Sequence, residues 1–329
     1  MTRHQQTLPR PVVGTGTASK VFTGTSSATP RSINTVIVIL GPTASGKSDL
    51  AVALAKKYNG EVISADSRQV YKGLDIGSGK ITKTEMKGVP HHLLDVVSPS
   101  TIFSVSNFQK KAKRAISEIQ SRGKLPIICG GTGFYIQSIV DNTIFPEVKP
   151  NKKLRAELAT YSTEKLFKTL QKLDPDRAKT IEKQNPVRLI RAIEIVKALG
   201  KVPLLDLQAI GKSQDNTGTE NFIQIGTKIT PEKLKENIAK RLDNRLKKGM
   251  LKEAEKLHRN GLSWKRMEAL GLEYRNMALF LQNKISKEEM IEKIKNESWQ
   301  YAKRQMTWFK RDPRIKWVTP EKALKIRLK

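Results

Sequence analysis

The segment Gly41-Pro42-Thr43-Ala44-Ser45-Gly46-Lys47-Ser48 constrains the fold more than any other stretch of this chain. It fits G-x-x-x-x-G-K-S/T. It follows the apolar β-branched run Val36-Ile37-Val38-Ile39-Leu40, and a helical pattern continues from Asp49 to Tyr58. Glycine lets the backbone curl so that several N–H groups converge on phosphate oxygens, and the helix N-terminus behind them adds positive potential. Lys47 contributes a mobile cation, and the Ser48 hydroxyl is suited to hold Mg²⁺. Strand, tight loop and helix in this order imply an α/β core that binds a di- or triphosphate. The loop alone names neither the compound nor the reaction.

Beyond the loop, short apolar strands alternate with helices. Strands are predicted at 35–40, 61–65, 125–129 and 222–228, and helices at 47–58 and 106–121. Such alternation implies a parallel sheet covered on both faces. From about 151 to 200 the strand signals stop and Lys/Glu-rich helical patterns take over. Residues 213–220 read as a polar loop, and 231–259, 264–282 and 286–311 as long amphipathic helices. Residues 1–32 are rich in Ser, Thr, Gly and Pro, contain Arg3, Arg10 and Arg31 but no acid, and show no periodicity. The expected organisation is a disordered tail (1–32), a P-loop α/β parallel-sheet core (33–149), a helical insertion (150–210) and a helical C-terminal part that returns to the core (211–329).

The 329-residue chain carries a formal net charge of +30, which points to a polyanionic partner. The last 29 residues sharpen this: they hold ten Lys/Arg against two acids, with Trp308, Phe309 and Trp317 interleaved. Basic residues around aromatics suit phosphate contact combined with base stacking. No apolar run is long enough to span a bilayer, so a membrane role is not expected. The single cysteine, Cys129, excludes an internal disulfide or a Cys-rich zinc module and reads as a buried strand residue.

Several further groups carry chemistry. Asp66 stands at the end of the second strand, where α/β proteins place ligands. A carboxylate there suits a metal ligand, a general base or a helix cap, and spacing leaves these open. Gly73 to Lys80 form a second Gly-rich basic loop. The pair His91-His92 lacks a third metal ligand at useful spacing and reads as structural or substrate-facing. Gly130-Gly131-Thr132-Gly133 follow the strand ending at Cys129, where a nucleotide hydrolase often places an acid; glycines and a threonine there argue against ordinary ATP hydrolysis.

Six linked motifs now bring a resemblance. GPTASGKS (41–48), SADSRQVYKGLDIGSGK (64–80), GVPHHLLDVVSP (88–99), GGTGFYI (130–136), NPVRLIRAIEI (185–195) and AKRQMTWFKR (302–311) together resemble the tRNA dimethylallyltransferase (tRNA isopentenyltransferase) family, bacterial type. The resemblance runs from about residue 33 to 318. It implies transfer of a dimethylallyl group from dimethylallyl diphosphate to the exocyclic amine of the adenosine just 3′ of the tRNA anticodon, with Mg²⁺ as cofactor. It implies that Gly41, Pro42, Thr43, Ala44, Ser45, Gly46, Lys47 and Ser48 hold the diphosphate, with the metal at Ser48. Thr43 would help the leaving group, Asp66 would act as general base, and Arg245, or as second choice Arg241, would add a cation. Contacts to the tRNA anticodon arm would come from Asp66, Ser67, Arg68, Gln69, Thr132, Arg155, the segment Val187-Arg188-Leu189-Ile190-Arg191, and Lys303, Arg304, Gln305, Trp308 and Lys310.

Competing readings stand beside these. Arg241 and Arg245 also suit a solvated helix face, Arg188 and Arg191 also suit intrahelical pairing with Glu194, and Trp308 also suits core packing. The segment Glu268-Ala269-Leu270-Gly271-Leu272-Glu273-Tyr274-Arg275 departs from the family pattern, which leaves its contacts open. A monomer in the cytoplasm is expected, with organellar targeting through the tail as the alternative. The rival functions are a prenyltransferase acting on free adenine nucleotide, a P-loop small-molecule kinase, and a non-catalytic RNA binder.

Overall fold

The computed structural model describes residues 34–203 and 220–326. The expected tail at 1–32 and residues 213–219 of the expected polar loop lie outside them. Among the described residues six strands form one all-parallel sheet: β1 (Thr35–Leu40), β2 (Gly60–Ser64), β3 (His91–His92), β4 (Leu125–Gly130), β5 (Asn221–Thr227) and β6 (Lys316–Val318). Their order across the sheet is β3-β2-β4-β1-β5-β6. The P-loop strand is therefore central: β4 lies on one side with Ile37 opposite Ile127, and β5 on the other with Ile37 opposite Ile223.

Strand alternation explains the layering. Val36, Val38 and Leu40 point to one face and Ile37 and Ile39 to the other, and all five are fully buried. Parallel sheets with continuous apolar strands need both faces covered. The first face packs against α3 (Val105–Ser121) and α4 (Gly133–Val140) through Phe108, Ile116 and Ile136; the second packs against α1 (Lys47–Lys57) through Leu50, Ala51 and Leu54. A short α2 (Lys83–Met86) lies between β2 and β3.

Helices α5 (Lys152–Leu158), α6 (Thr163–Leu173), α7 (Pro175–Thr180) and α8 (Pro186–Leu199) follow and enclose their own apolar cluster, including Leu158, Leu170, Leu189 and Ile193. After β5 come α9 (Pro231–Lys247), α10 (Met250–Arg259), α11 (Trp264–Leu270), α12 (Leu272–Leu281), α13 (Lys287–Phe309) and, after β6, α14 (Pro320–Ala323). The expected single helices at 231–259 and 264–282 are each two helices, broken at Gly249 and Gly271, both at positive φ. The two- and three-residue strands β3 and β6 are half-buried or exposed and too short to show a period-2 pattern, so nothing in the sequence marks them as strands. Among the described residues no helix is long and apolar enough to cross a membrane.

Candidate active site at the strand ends

β1 runs into the Gly41–Gly46 loop, β2 into Asp66, β4 into Gly131-Thr132, and β5 ends at Thr227, so parallel pairing carries all four ends to one edge of the sheet. The loop is braced from three elements. Gly41 sits at φ 152° with the Thr227 hydroxyl against its Cα, where a Cβ would stand 2.1 Å from Thr227 Oγ1. Ser45 Oγ lies 2.6 Å from that same oxygen. The Asn237 amide of α9 donates to Ala44 O at 3.1 Å, and the Thr43 N–H donates to Gln305 Oε1 of α13 at 2.8 Å. Gly46, the N-cap of α1, supplies no side-chain cap, which leaves the first N–H groups of the helix open to an anion.

Lys47 is half-buried, and its ammonium donates to Pro42 O at 2.9 Å. Burial lowers its pKa to about 8, and the Arg241 guanidinium acts in the same direction. Ser48 is exposed, and its hydroxyl carries no hydrogen bond among the described residues. Beneath the loop, Cys129 is buried in β4, with its thiol directed at Lys47 O; burial pushes that thiol up to about 12, so it stays protonated.

Asp66 has two faces. Its Oδ1 accepts the N–H of Arg68 at 2.8 Å and of Gln69 at 3.3 Å, which fixes the turn after β2. No hydrogen bond among the described residues ends on Oδ2. Both the capping and the chemical reading of this residue are thus sterically available at once. Thr132 Oγ1 accepts the Ser67 N–H at 3.0 Å and ties this turn to the β4 end.

Arg241 and Arg245 sit one turn apart on α9, and both press on the backbone of Gly79: a Cβ there would meet Arg245 Nη2 at 1.8 Å and Arg241 Nη2 at 2.7 Å. Arg245 is committed to Glu273 Oε1 at 2.9 Å and to Gly77 O at 3.3 Å. Arg241 has no hydrogen-bond or ion-pair partner among the described residues; burial, reinforced by Arg245, lowers its pKa to about 10. The loop behind them is held by Glu253 of α10, whose carboxylate accepts the N–H groups of Asp75, Ile76 and Gly77 at 3.0, 2.6 and 3.0 Å and the Tyr274 hydroxyl at 2.8 Å. The divergent segment 268–275 therefore supplies Glu273 and Tyr274 as supports for the arginines. Nothing in the spacing of the sequence announces Glu253 or Glu273.

Two cavities adjoin at Ala44 and Arg241. The smaller, about 350 Å³, is bounded by the loop, Lys47, Ser48 and Glu85. The larger, about 620 Å³, brings together Thr43, Asp66, Ser67, Arg68, Arg241 and Arg245, with Ile238, Leu242 and Ile294 as an apolar wall. Tyr301 of α13, unforeseen in the sequence, faces the larger one; burial, reinforced by Asp66, pushes its hydroxyl up to about 12.

The remaining expected contacts are distributed more widely. Lys303, Arg304 and Lys310 are exposed along α13, and Trp308 is half-buried, edge-on to Phe134 at 6.2 Å between centroids. Gln305 is buried and its amide is engaged at both ends inside the core: Nε2 donates to Gly131 O at 2.7 Å while Oε1 accepts the Thr43 N–H. Its inward position was readable from Ala302, Gln305 and Phe309, which recur at helical spacing and are all buried. In the insertion, Arg155 and Arg191 both bind Glu194, a buried carboxylate. Burial raises that carboxylate's pKa, but hydrogen bonds from Arg155, the Asn151 N–H and Arg191 outweigh it and hold it at about 2. Arg188 pairs with Glu182 at 3.0 Å, not with Glu194. Leu189 is fully buried and Ile190 half-buried in the insertion core, so Val187 and Arg188 are the exposed members of that segment. Gln69 is half-buried, with weak amide contacts to Ser64 and Gly79.

Two motifs resolve as structural. His92 Nε2 lies 2.7 Å from Glu61 Oε2, and Lys80 of the second Gly-rich loop binds Asp75, Asp95 and Tyr71 O. No group of three or more His, Cys, Asp or Glu suited to a metal occurs among the described residues.

The IPP transferase family model matches residues 69–312. The tRNA dimethylallyltransferase of Caldanaerobacter subterraneus subsp. tengcongensis is 43% identical over 289 residues, covering 86% of this chain and 90% of the relative. The crystal structure of a tRNA delta(2)-isopentenylpyrophosphate transferase from Staphylococcus epidermidis aligns with a TM-score of 0.64 at 39% identity, covering 88% of this chain and 95% of that one. A eukaryotic dimethylallyltransferase captured acting on tRNA aligns at 0.73 and 31% identity, covering 87% and 74%.

Proposed function

The chain belongs to the IPP transferase family, and from that membership we propose that it transfers a dimethylallyl group from dimethylallyl diphosphate to the exocyclic amine of an adenosine just 3′ of a tRNA anticodon. The observation that carries the reading is the shared lining of the larger cavity. Thr43 of the phosphate loop, the carboxylate of Asp66 and the guanidinium of Arg241 meet there, beside an apolar wall. A diphosphate in the smaller cavity would present its allylic group to that wall.

Lys47 and the open N-terminus of α1 bind the diphosphate, and Arg241 stands at the junction of the cavities as its uncommitted cation. This ranks Arg241 ahead of Arg245, whose charge is already answered by Glu273. Neutralising charge on the leaving group is the main electrostatic requirement, because the allylic carbon–oxygen bond ionises readily once that charge is stabilised. Thr43 serves the same leaving group from the loop. Asp66 Oδ2 accepts the proton of the amine, while the turn on Oδ1 holds the carboxylate in place.

Mg²⁺ fits this donor set. Among the described residues the loop offers the exposed Ser48 hydroxyl and no cluster of three or more acidic, His or Cys ligands occurs, which would suit an ion held mainly by diphosphate oxygens and water. When bound, it supplies positive charge to the leaving diphosphate.

The polymeric substrate is supported by the exposed Lys303, Arg304 and Lys310 on α13 and by Arg188 and Val187 on the insertion. The target base must leave its stack to enter the cavity. The Gly130-Gly131-Thr132 strand end carries no acid, which disfavours a kinase. The test is a transfer assay with labelled dimethylallyl diphosphate, Mg²⁺ and either unmodified tRNA or AMP, read by nucleoside mass analysis. Prenylated adenosine from tRNA alone is expected. Label in AMP would move the protein to the free-nucleotide class, and no label in either would overturn the reading.

A further inference from the structure

Gln305 is one of few polar side chains buried in the sheet–helix contact, and both ends of its amide are used. Oε1 accepts the Thr43 N–H at 2.8 Å and Nε2 donates to Gly131 O at 2.7 Å. The orientation of the amide is fixed by its partners, since one is a donor and the other an acceptor. Gly131 is required for the approach, because a Cβ there would stand 2.2 Å from Gln305 Nε2. The two partners belong to different halves of the site. Thr43 lies in the loop that binds the leaving group; Gly131 precedes Thr132, which holds the Ser67 N–H and through it the Asp66 turn. Near Gln305, Lys303 on α13 and Lys310 at its C-cap are exposed, and Arg304, also exposed, borders the larger cavity.

We propose that Gln305 is a positioning residue that sets the register between leaving group and nucleophile, and that α13 thereby links what lies on its basic face to the alignment of the reaction. The inference rests on the proposed prenyl transfer. In that reaction the amine nitrogen bonds to the allylic carbon as the carbon–oxygen bond to diphosphate breaks, and the amine proton leaves to Asp66. If the two halves lose register, the same bond still breaks, but water bonds to the carbon instead. The products are then dimethylallyl alcohol, diphosphate and a proton released to solvent. Misalignment should therefore appear in how the substrate is partitioned, beyond any loss of rate.

Gln305→Glu tests this with little change in shape: it keeps the acceptor for Thr43 and places an acceptor against Gly131 O. Gln305→Asn keeps the amide but shortens its reach. Each variant and the wild type would be given labelled dimethylallyl diphosphate and saturating unmodified tRNA, and alcohol and prenylated adenosine counted in the same reaction. The ratio of the two products does not depend on how much enzyme is folded, so a merely structural role leaves it unchanged. The alcohol-to-transfer ratio should rise about tenfold or more in both variants, with the KM for the diphosphate changed only a few-fold. An unchanged ratio, or parallel loss of both products, overturns the proposal. Absence of prenylated adenosine from the wild type would sink the proposed function itself, so the two failures are distinguishable.

Discussion

Arg245 Nη1 lies 2.9 Å from Glu273 Oε1, with 14% and 16% of their side chains exposed, while Arg241 one turn earlier has no such partner among the described residues. The pair makes the two arginines unequal. Arg241→Ala removes an uncommitted cation from the junction of the cavities. It should weaken binding of a non-transferable dimethylallyl diphosphate analogue by about tenfold or more, with little change in melting temperature. Arg245→Ala strands Glu273 and a backbone carbonyl and should lower thermal stability first. Calorimetric titration and a melting curve on both variants check this; equal losses of affinity would mean both arginines meet the ligand.

Asp66→Asn separates the two duties of that side chain. The amide oxygen can still accept the Arg68 and Gln69 N–H groups, so the turn should survive. The proton acceptor is gone, and turnover should fall by about 10²-fold or more while tRNA affinity stays within a few-fold. Single-turnover rates and filter binding read the two effects separately. A collapse of tRNA binding would make Asp66 a recognition residue.

The core was legible because its signals are local. The run from Val36 to Leu40 and the loop after it specify a strand, a turn and a helix within about twenty residues; β4 carries a similar apolar run, and β2 and β5 carry shorter ones at Val62-Ile63 and Phe222-Ile223. What could not be read is what depends on contact across the chain. Glu273 answers Arg245 from 28 residues away and Gln305 reaches Thr43 from 262 away. Arg191 pairs with Glu194 one turn on within α8, as its spacing allows, but Arg155 looks like a free cation in sequence and reaches the same carboxylate only because α5 and α8 pack together. The helix breaks at Gly249 and Gly271 are marked only by the glycines themselves, and the amphipathic stripe that continues on either side hides them.

Lys47 ties affinity to pH. With its folded pKa at about 8, the ammonium of the free protein loses charge as pH rises through that value. The affinity of the wild type for the diphosphate analogue, divided by that of Lys47→Ala to cancel the ligand's own titration, should be flat below pH 8 and fall above it. The same shift carries a stability signature of opposite sense. The unfolded lysine, near 10.5, binds more protons between about 8 and 10.5, so this group's contribution to folding rises with pH across that window.

Glu61 anchors the far end of β2. It is buried with His92, Arg122 and Lys124 within 2.8 Å. Burial raises its pKa, but hydrogen bonds from Lys124, His92 and Arg122 outweigh that and hold the carboxyl at about 2. Its stabilising contribution is therefore complete above the unfolded value of about 4.5 and is lost as pH falls through about 2. Glu61→Gln should cost about 3 kcal/mol near neutrality, the scale for unpairing a buried carboxylate, and should flatten the acid limb of the stability profile. Urea titrations from about pH 7 down to about pH 3 would check it; identical slopes would mean the cluster contributes little.

Exposed and committed cations should answer tRNA differently. Lys303 and Lys310 are exposed on α13 and no ion pair between them and a described acid is present. Arg155 and Arg191 remain about one-third exposed but share the buried Glu194. Lys303→Ala with Lys310→Ala should weaken tRNA binding and lower the slope of log affinity against log salt by about 0.7 to 0.9 for each phosphate left without its lysine, with thermal stability unchanged. Arg155→Ala removes one of the two arginines that hold Glu194 and leaves Arg191 and the Asn151 N–H on it, so it should destabilise the insertion by about 1 to 2 kcal/mol. Any loss of tRNA affinity in that variant should track unfolding of the insertion, at an unchanged salt slope. If Arg155→Ala instead lowers the salt slope while leaving the melting temperature alone, Glu194 is not its principal partner and the arginine faces phosphate directly.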